Sequence, residues 1–327
     1  MIEPGAVRQP MTIPVVFLMG PTASGKTAAA LSLARRYPAE IINVDAAQVY
    51  RGMDIGTAKV GPEERATCPH HLIDIKEPDE TYSAARFRED ALGLIEEVRG
   101  RGRLPVLAGG TMFYFHTLLY GLPRLPPADP DLRAEIVELA ARKGWPALHR
   151  RLAQADPRRA AEISPNDGQR IQRALEVNAL TGRNVEHRLP MPGRPAWPLI
   201  KLALAPSSRE NLHRRIEVRF REMLDRGLVS EVAELLNTYG KPVEPASLKM
   251  VGYRQVSDYL KGKVGYNRMT EASIAATRRL AKRQLTWLRN QSAVTWIDSD
   301  HREAAGGILL YLDASPLMAG FAPGADA

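Results

Sequence analysis

Eight consecutive residues near the amino end of the chain narrow its possible folds more than any other segment. They are Gly20, Pro21, Thr22, Ala23, Ser24, Gly25, Lys26 and Thr27, which fit the pattern G-x-x-x-x-G-K-[ST] in full. In this pattern the glycines let backbone N–H groups turn towards phosphate oxygens, the lysine supplies a cation, and the threonine hydroxyl can bind Mg²⁺. The motif therefore predicts a phosphate or diphosphate site, and it leaves open whether ATP is hydrolysed.

The segments around this motif alternate between strand and helix patterns. In chain order they are a strand at residues 15–19, a helix at 26–37, a strand at 40–44, a helix at 83–100 and a strand at 104–108. Strands that alternate with helices are typical of a parallel sheet. We therefore predict an α/β fold, a P-loop NTPase-like parallel sheet flanked by helices.

The character of the sequence changes at about Tyr120. A proline-rich connector at residues 121–127 leads into a segment with helix signals and few strand signals, and prolines between residues 190 and 198 mark its end. Strand and helix patterns then resume, with strands at 199–205 and 294–297 and helices at 209–225, 230–239 and 266–289. The predicted division is a flexible N-terminus at 1–13, a first core part at 14–119, an inserted all-helical domain at 120–197, a second core part with basic helices at 198–315, and a flexible tail at 316–327.

Composition and charge exclude several classes of protein. The 327 residues are 44% hydrophobic and 25% charged, which is ordinary for a globular chain. The 45 Lys and Arg outnumber the 37 Asp and Glu, and the net charge of +8 favours a polyanionic partner. The single cysteine, Cys68, excludes a disulfide framework, and with His70 and His71 it lacks the second ligand pair of a zinc site. Because no apolar run reaches the ~18 residues of a membrane span and no secretory leader is recognisable, we expect a cytoplasmic protein.

Asp45 and Thr111 are predicted to face the phosphate site. Asp45 directly follows the second strand and Thr111 follows Gly109-Gly110 after the third, and ligands of open α/β sheets bind at these strand ends. Asp45 could hold Mg²⁺ through water or act as a general base, and its position alone does not decide between these roles. The hydroxyl of Thr111 favours the second, because a nucleotide hydrolase more usually has an acid there.

Several motifs together resemble one family of enzymes. They lie at residues 20–27, 45–50, 52–59, 69–72, 109–111, 251–255 and 282–289. In these segments, and over about residues 13–300, the chain resembles the bacterial tRNA dimethylallyltransferases, also called isopentenyl-diphosphate:tRNA transferases. One departure is Ala46, which stands where the family usually has a serine.

The resemblance implies a reaction and its participants. It implies transfer of a dimethylallyl group from dimethylallyl diphosphate to N6 of the adenosine 3′ to the anticodon, at position thirty-seven of tRNAs that read codons starting with U. Mg²⁺ is the implied cofactor and the anticodon stem-loop of tRNA the implied partner, with no membrane, and we expect a monomer. Asp45 would be the general base, Thr111 would orient the adenine, and Arg219 would approach the diphosphate.

The resemblance also places tRNA contacts on four segments and on single residues. These are Asp45, Ala46, Ala47, Gln48, Thr111, Arg133, Gln169, Arg170, Ile171, Gln172, Arg173, Lys249, Met250, Val251, Gly252, Tyr253, Arg254, Lys282, Arg283, Gln284, Leu285, Thr286, Trp287, Leu288 and Arg289. Helical spacing independently puts five basic residues between Arg278 and Arg289 within an arc of about 140°, which is typical of RNA-binding or solvated helices. Two other functions stay open, an ATP-dependent kinase of a small molecule or nucleotide and a non-catalytic RNA-binding NTPase.

Overall fold

The computed structural model describes residues 13–123, 125–182, 193–240, 245–301, 303–319 and 321. The chain divides into two compact units. The core unit comprises Met1–Leu119 and Pro195–Ala327, and the helical unit comprises Tyr120–Arg194. The predicted insertion at 120–197 therefore corresponds to a separate unit of the structure, whose end lies at Arg194 rather than at residue 197.

The core unit is built on one sheet of parallel strands. The strands are β1 (Val15–Met19), β2 (Ala39–Val44), β3 (His70–His71), β4 (Leu104–Gly109), β5 (Leu199–Ala205) and β6 (Thr295–Asp298). Their order across the sheet is β3-β2-β4-β1-β5-β6, and all neighbouring pairs are parallel. The predicted parallel α/β fold is thus confirmed.

Thirteen helices are found among the described residues. They are α1 (Lys26–Arg36), α2 (Pro62–Thr67), α3 (Ala84–Gly100), α4 (Met112–Tyr120), α5 (Pro130–Lys143), α6 (Trp145–Ala155), α7 (Pro157–Ala161), α8 (Gly168–Thr181), α9 (Arg209–Asp225), α10 (Leu228–Tyr239), α11 (Tyr253–Leu260), α12 (Tyr266–Arg289) and α13 (Ala304–Asp313). None of the helices in these described ranges is long and apolar enough to cross a membrane.

The apolar sequence of β1 determines where the site forms. All five of its residues are buried, because β1 lies between β4 and β5, with Val16 opposite Val106 on one side and Ile200 on the other. Such a central strand needs apolar side chains on both faces. Because β1, β2 and β4 run parallel, their carboxyl ends lie at one edge of the sheet. This arrangement brings the residues after each strand together.

The helical unit has its own apolar core and its own helix caps. Helices α5 to α8 bury a cluster that includes Leu148, Leu152 and Ile171. Aspartates cap three of these helices at their amino ends, as Asp129 does by accepting a hydrogen bond from the N–H of Leu132 at 2.9 Å. The unit therefore has the apolar core and helix caps of an independently packed domain.

The structure contains elements of the core unit that were not predicted, namely β3 and the helices α2, α4, α11 and α13. A strand of two residues and a helix with two adjacent glycines near its start give little pattern to detect. The flexible tail predicted from Pro316 is wrong for its first residues, since Pro316–Met318 form a 3-10 turn and Met318 and Phe321 pack into the core. Apolar burial outweighs the loss of chain entropy there. Residues 1–12, 183–192 and 322–327 lie outside the described residues, and with them the predicted flexible N-terminus up to residue 12 and the prolines at 190 and 192.

Candidate active site

The loop at residues 20–27 joins β1 to α1 at the carboxyl edge of the sheet. Gly25 has φ 86°, a left-handed conformation that glycine adopts without strain, and α1 begins at the next residue. A Cβ at Gly20 would lie 2.3 Å from the carbonyl oxygen of Leu204, so only glycine allows this loop to approach β5. Lys26 Nζ donates to the carbonyl oxygen of Pro21 at 2.7 Å, which folds the side chain back over the loop. The predicted phosphate loop therefore has the compact form that its sequence requires.

Two cations and one carboxylate share this edge of the sheet. Burial and the positive charge of Arg219, partly opposed by Asp45, together lower the pKa of Lys26 to about 7. Burial also lowers the pKa of Arg219, whose guanidinium nevertheless remains charged. An added anion would relieve the repulsion between the two cations. The electrostatics therefore favour a polyanionic ligand beside Lys26 and Arg219.

Asp45 and Thr111 both fix the backbone that follows β2. Asp45 Oδ1 accepts a hydrogen bond from the N–H of Ala47 at 2.8 Å. Thr111 Oγ1 accepts from the N–H of Ala46 at 3.1 Å, and the N–H of Thr111 donates to the carbonyl oxygen of Val44 at 3.1 Å. The hydroxyl of Thr111 keeps its own hydrogen for a further acceptor. Sequence reasoning placed these two side chains together, and the structure brings them together.

Two cavities meet at Asp45. The first, of about 400 Å³, is lined by Lys26, Thr27, Asn43 and other polar residues. The second, of about 530 Å³, has mainly apolar walls such as Met112, Phe220 and Val251. The residues that line both cavities are Thr22, Asp45, Thr57, Gly110, Arg219, Met223 and Gln284. A polar compartment therefore adjoins an apolar one, with a carboxylate and a guanidinium where they join.

Arg219 is tied to a loop that precedes α2. Its Nη2 donates to the carbonyl oxygen of Thr57 at 3.3 Å, and Gln48 Nε2 donates to the same oxygen at 3.2 Å. The amide N–H groups of Gln48 are thus engaged inside the protein, whereas sequence reasoning assigned the residue to RNA. This carbonyl links two residues predicted for different substrates.

Glu231 fixes that loop and was missed by sequence reasoning. The carboxylate accepts hydrogen bonds from the N–H groups of Asp54, Ile55 and Gly56 at 3.0, 2.6 and 3.1 Å. It also accepts one from the hydroxyl of Tyr253 at 2.6 Å, and a Cβ at Gly56 would lie 2.6 Å from the ring of that tyrosine. No local pattern reveals this contact, because Glu231 is about 175 residues away from the loop along the chain.

Gln284 connects α12 to the phosphate loop. Its side chain is buried, its Oε1 accepts from the N–H of Thr22 at 2.9 Å, and its Nε2 donates to the carbonyl oxygen of Gly110 at 2.7 Å. Sequence reasoning grouped Gln284 with tRNA contacts. Its amide is engaged between the ends of β1 and β4, and because Gln284 also lines both cavities, the tRNA contact stays a prediction.

The remaining residues predicted for tRNA on the core unit divide into exposed and buried groups. The exposed side chains are those of Lys249, Arg254, Lys282, Arg283, Thr286, Trp287 and Arg289. Lys249, Met250, Val251, Gly252, Tyr253, Arg283 and Trp287 line the apolar cavity. Leu288 is fully buried and Leu285 partly so, which corrects the prediction for the side chain of Leu288. The basic arc of α12 thus opens beside the apolar cavity, although Arg278 is paired with Glu217 at 3.1 Å.

In the helical unit, several of the predicted tRNA residues have structural partners. Glu176 is fully buried and pairs with Arg133 at 2.8 Å and with Arg173 at 2.6 Å. Gln172 donates to the carbonyl oxygen of Arg133 at 3.4 Å, and Ile171 is buried in the core of this unit. The side chains of Gln169 and Arg170, in contrast, are exposed at the start of α8. The two arginines are thus accounted for by the fold, and the prediction of a tRNA contact is wrong for the side chain of Ile171.

A parallel sheet with this loop at the end of its central strand defines an α/β protein of the P-loop class. Two family models match the chain, one described as IPP transferase over residues 48–291 and one described as isopentenyl transferase over residues 13–76. The chain belongs to the IPP transferase family, the tRNA dimethylallyltransferases. The resemblance inferred from the motifs is thereby confirmed.

Individual relatives agree with this assignment. A tRNA dimethylallyltransferase of Paraburkholderia xenovorans is 53% identical over 312 residues, covering 94% of this chain and 98% of the relative. Another, of Alkalilimnicola ehrlichii, is 55% identical over 295 residues, covering 89% and 93%.

Solved structures give the same picture. The tRNA isopentenylpyrophosphate transferase of Bacillus halodurans has a TM-score of 0.67 and 39% identity, covering 92% of this chain and 95% of that one. A eukaryotic dimethylallyltransferase described as acting on tRNA has a TM-score of 0.73 at 24% identity, covering 92% and 78%, and supports the fold alone.

Proposed function

We propose that the protein transfers a dimethylallyl group from dimethylallyl diphosphate to tRNA, the activity for which its relatives are named. The acceptor is N6 of the adenosine 3′ to the anticodon, at position thirty-seven of tRNAs that read codons starting with U. The observation that carries this proposal is the position of Asp45, where a polar cavity with Lys26 joins an apolar cavity beside a basic helix. Each cavity then receives one substrate.

The polar cavity holds the diphosphate. Lys26, Arg219 and the backbone N–H groups at the amino end of α1 all favour negative charge there. Cleavage of the allylic C–O bond builds negative charge on the departing diphosphate and positive charge on the prenyl carbon. These groups therefore stabilise the transition state more than the bound substrate, which is the condition for acceleration.

Mg²⁺ fits this site as an ion carried mainly by the substrate. In the parts of the chain that the structure describes, no cluster of three or more His, Cys, Asp or Glu could hold a metal by itself. Mg²⁺ commonly keeps several waters and binds through substrate phosphates. Thr27, exposed in the polar cavity, would contribute its hydroxyl. When bound, the ion would neutralise charge on the leaving diphosphate.

Asp45 acts as the general base. An exocyclic adenine amine is a weak nucleophile, and a carboxylate at its N–H removes the proton as the C–N bond forms. The hydroxyl of Thr111, which retains a hydrogen to donate, orients the adenine beside Asp45. The backbone around Ala46 is already fixed by Thr111, which explains how the site can form without the serine hydroxyl usual in the family.

The tRNA approaches through the apolar cavity. The target adenosine must leave its stack to reach Asp45, at a cost of roughly a few kcal/mol. Lys249, Lys282 and Arg283, exposed at or near the cavity mouth, would bind phosphates of the anticodon stem-loop. In the helical unit, the exposed Gln169 and Arg170 would make further contacts.

Incubation with labelled dimethylallyl diphosphate, Mg²⁺ and unmodified tRNA tests the proposal. We expect label in the RNA, and none when the adenosine 3′ to the anticodon is replaced by guanosine, which lacks the N6 amine. ATP turnover with no label in RNA would instead indicate a kinase or an RNA-binding NTPase. Label that persists in the guanosine RNA would contradict the assigned acceptor while leaving the transfer intact.

A further inference from the structure

Two exposed aromatic rings stand at the mouth of the apolar cavity. Phe113, at the start of α4, is 46% exposed, and Trp287, near the end of α12, is 37% exposed. Both line the cavity that contains Asp45, and their ring centroids are 6.4 Å apart at an interplanar angle of 73°. The ring of His116 meets Trp287 at 5.5 Å and 75°. Neither neighbour lies flat against the indole.

The chemistry around these rings suits a nucleic acid. Arg283 precedes Trp287 by one helical turn, Lys282 is exposed beside it, and residues 279–289 contain no acid. Helix α4 contains no acid either. Burial lowers the pKa of His116, so this ring is neutral at neutral pH and adds an aromatic surface rather than a charge. Aromatic rings beside cations are the arrangement that binds single-stranded bases by stacking, with phosphates held alongside.

We propose that Trp287, with Phe113 packed edge-to-face against it, forms a stacking platform for a second nucleobase of the RNA loop, a neighbour of the base that reaches Asp45. This inference rests on the proposed function, because it assumes that an RNA base enters the apolar cavity. Everting one base from a loop removes a stacking partner from the next base. The platform replaces that partner and thereby offsets part of the cost of eversion. The occupant is an RNA base rather than a peptide, because the surrounding charge is positive and sequence-tolerant stacking needs only a flat ring.

A binding cycle between protein and RNA variants tests the platform. The RNA is an anticodon stem-loop with the acceptor adenosine, intact or with an abasic nucleotide on one side or the other of it. The proteins are the wild type, Phe113→Ala, Trp287→Ala and Trp287→Phe, and affinities are measured without dimethylallyl diphosphate at several salt concentrations. Trp296→Ala serves as the matched control, because Trp296 is also exposed, at 45%, but lies on β6 and does not line the cavity.

We expect Trp287→Ala to weaken binding of intact RNA about tenfold, within the range measured for stacking one base, and Phe113→Ala to weaken it less, because the Phe113 ring meets the stacked base at an edge. Trp287→Phe should retain most of the affinity, Trp296→Ala should change nothing, and the salt slope should stay the same because no phosphate contact is removed. One of the two abasic RNAs should bind the wild type about tenfold more weakly than intact RNA does. The affinity of this abasic RNA should fall no further when the protein carries Trp287→Ala. Unchanged binding of an unreactive diphosphate analogue shows that the variants are folded.

Additive losses with both abasic RNAs, or wild-type affinity in both alanine variants, would overturn the platform. So would self-association of the chain that Phe113→Ala abolishes without an effect on RNA binding, since a second copy would then be the occupant. The outcome is separable from that of the proposed function. If the wild type shows the expected binding pattern but transfers no prenyl group, only the proposed activity is refuted. If the wild type transfers the prenyl group but the aromatic variants bind RNA as it does, only the platform is refuted.

Discussion

Replacement of Gln284 should disturb the phosphate loop from the far side of the chain. Gln284→Ala removes two hydrogen bonds, each contributing about 1 kcal/mol net. The carbonyl oxygen of Gly110 keeps a bond from the N–H of Met112 at 3.1 Å, but the N–H of Thr22 loses the partner it has at 2.9 Å. Because the adjoining cavities admit water to this N–H, the further penalty stays small. We therefore expect a loss of about 2 kcal/mol in the free energy of unfolding.

Thermal unfolding and prenyl transfer measure this effect together. A loss of about 2 kcal/mol lowers the melting temperature by about 3 °C in a chain of this size. The kcat/KM for dimethylallyl diphosphate should fall as well, because the freed loop no longer holds Thr22 in the wall of the two cavities. Gln284→Glu keeps an acceptor for Thr22 but sets a carboxylate oxygen against the carbonyl of Gly110, so it should be no more stable than the alanine variant.

Thr286→Ala is the matched control on the same helix. Its exposed hydroxyl donates only to the carbonyl oxygen of Lys282 within α12, at 3.0 Å. Its stability should change by less than about 0.5 kcal/mol. Wild-type stability and wild-type kcat/KM in Gln284→Ala would refute the idea that this side chain supports the loop.

Three further outcomes follow from the site. Lys26 has a pKa of about 7, and bound diphosphate favours its protonated form. Affinity for the diphosphate should therefore be steady below pH 7 and fall as the pH rises above it, with proton uptake on binding in calorimetry at pH 8. Lys26→Arg should remove this pH dependence, and pH-independent binding by the wild type would contradict the prediction. Glu231→Gln leaves fewer acceptor positions for the three N–H groups and the hydroxyl of Tyr253. Chemical denaturation should therefore show a loss of about 3 kcal/mol in the free energy of unfolding, and a loss below about 1 kcal/mol would contradict the role of Glu231 in fixing the loop. Lys282→Ala combined with Arg283→Ala should weaken RNA binding and make its salt slope shallower by about 1.5, whereas an unchanged slope would exclude phosphate contacts by these residues.

The sequence predicted best what depends on neighbours in the chain. Residues 15–36 contain an apolar strand, a glycine loop and a helix next to one another, and this local pattern predicts the phosphate site. A parallel sheet then brings Asp45 and Thr111 to the same edge by geometry alone. The tail at Met318 escaped prediction because its few apolar residues gain their packing from distant helices.

The contacts that complete the site join residues far apart in the chain. Gln284 is 262 residues from Thr22, and Glu231 is 177 residues from Asp54. Amphipathic periodicity places Gln284 among buried positions of α12 without indicating its partner. Likewise, helical spacing identified the basic arc of α12, but it could not show that Phe113 and Trp287 approach each other. Such pairings are set by how the elements pack, which no single segment encodes.

The role of Asp45 is tested by single-turnover prenyl transfer with saturating tRNA and dimethylallyl diphosphate, together with the affinities of both substrates. If Asp45 removes the proton from the adenine amine, Asp45→Ala and Asp45→Asn should slow the transfer step by about 10² to 10⁴-fold while RNA affinity changes little. A transfer rate close to that of the wild type, or equal losses in rate and RNA affinity, would contradict that role.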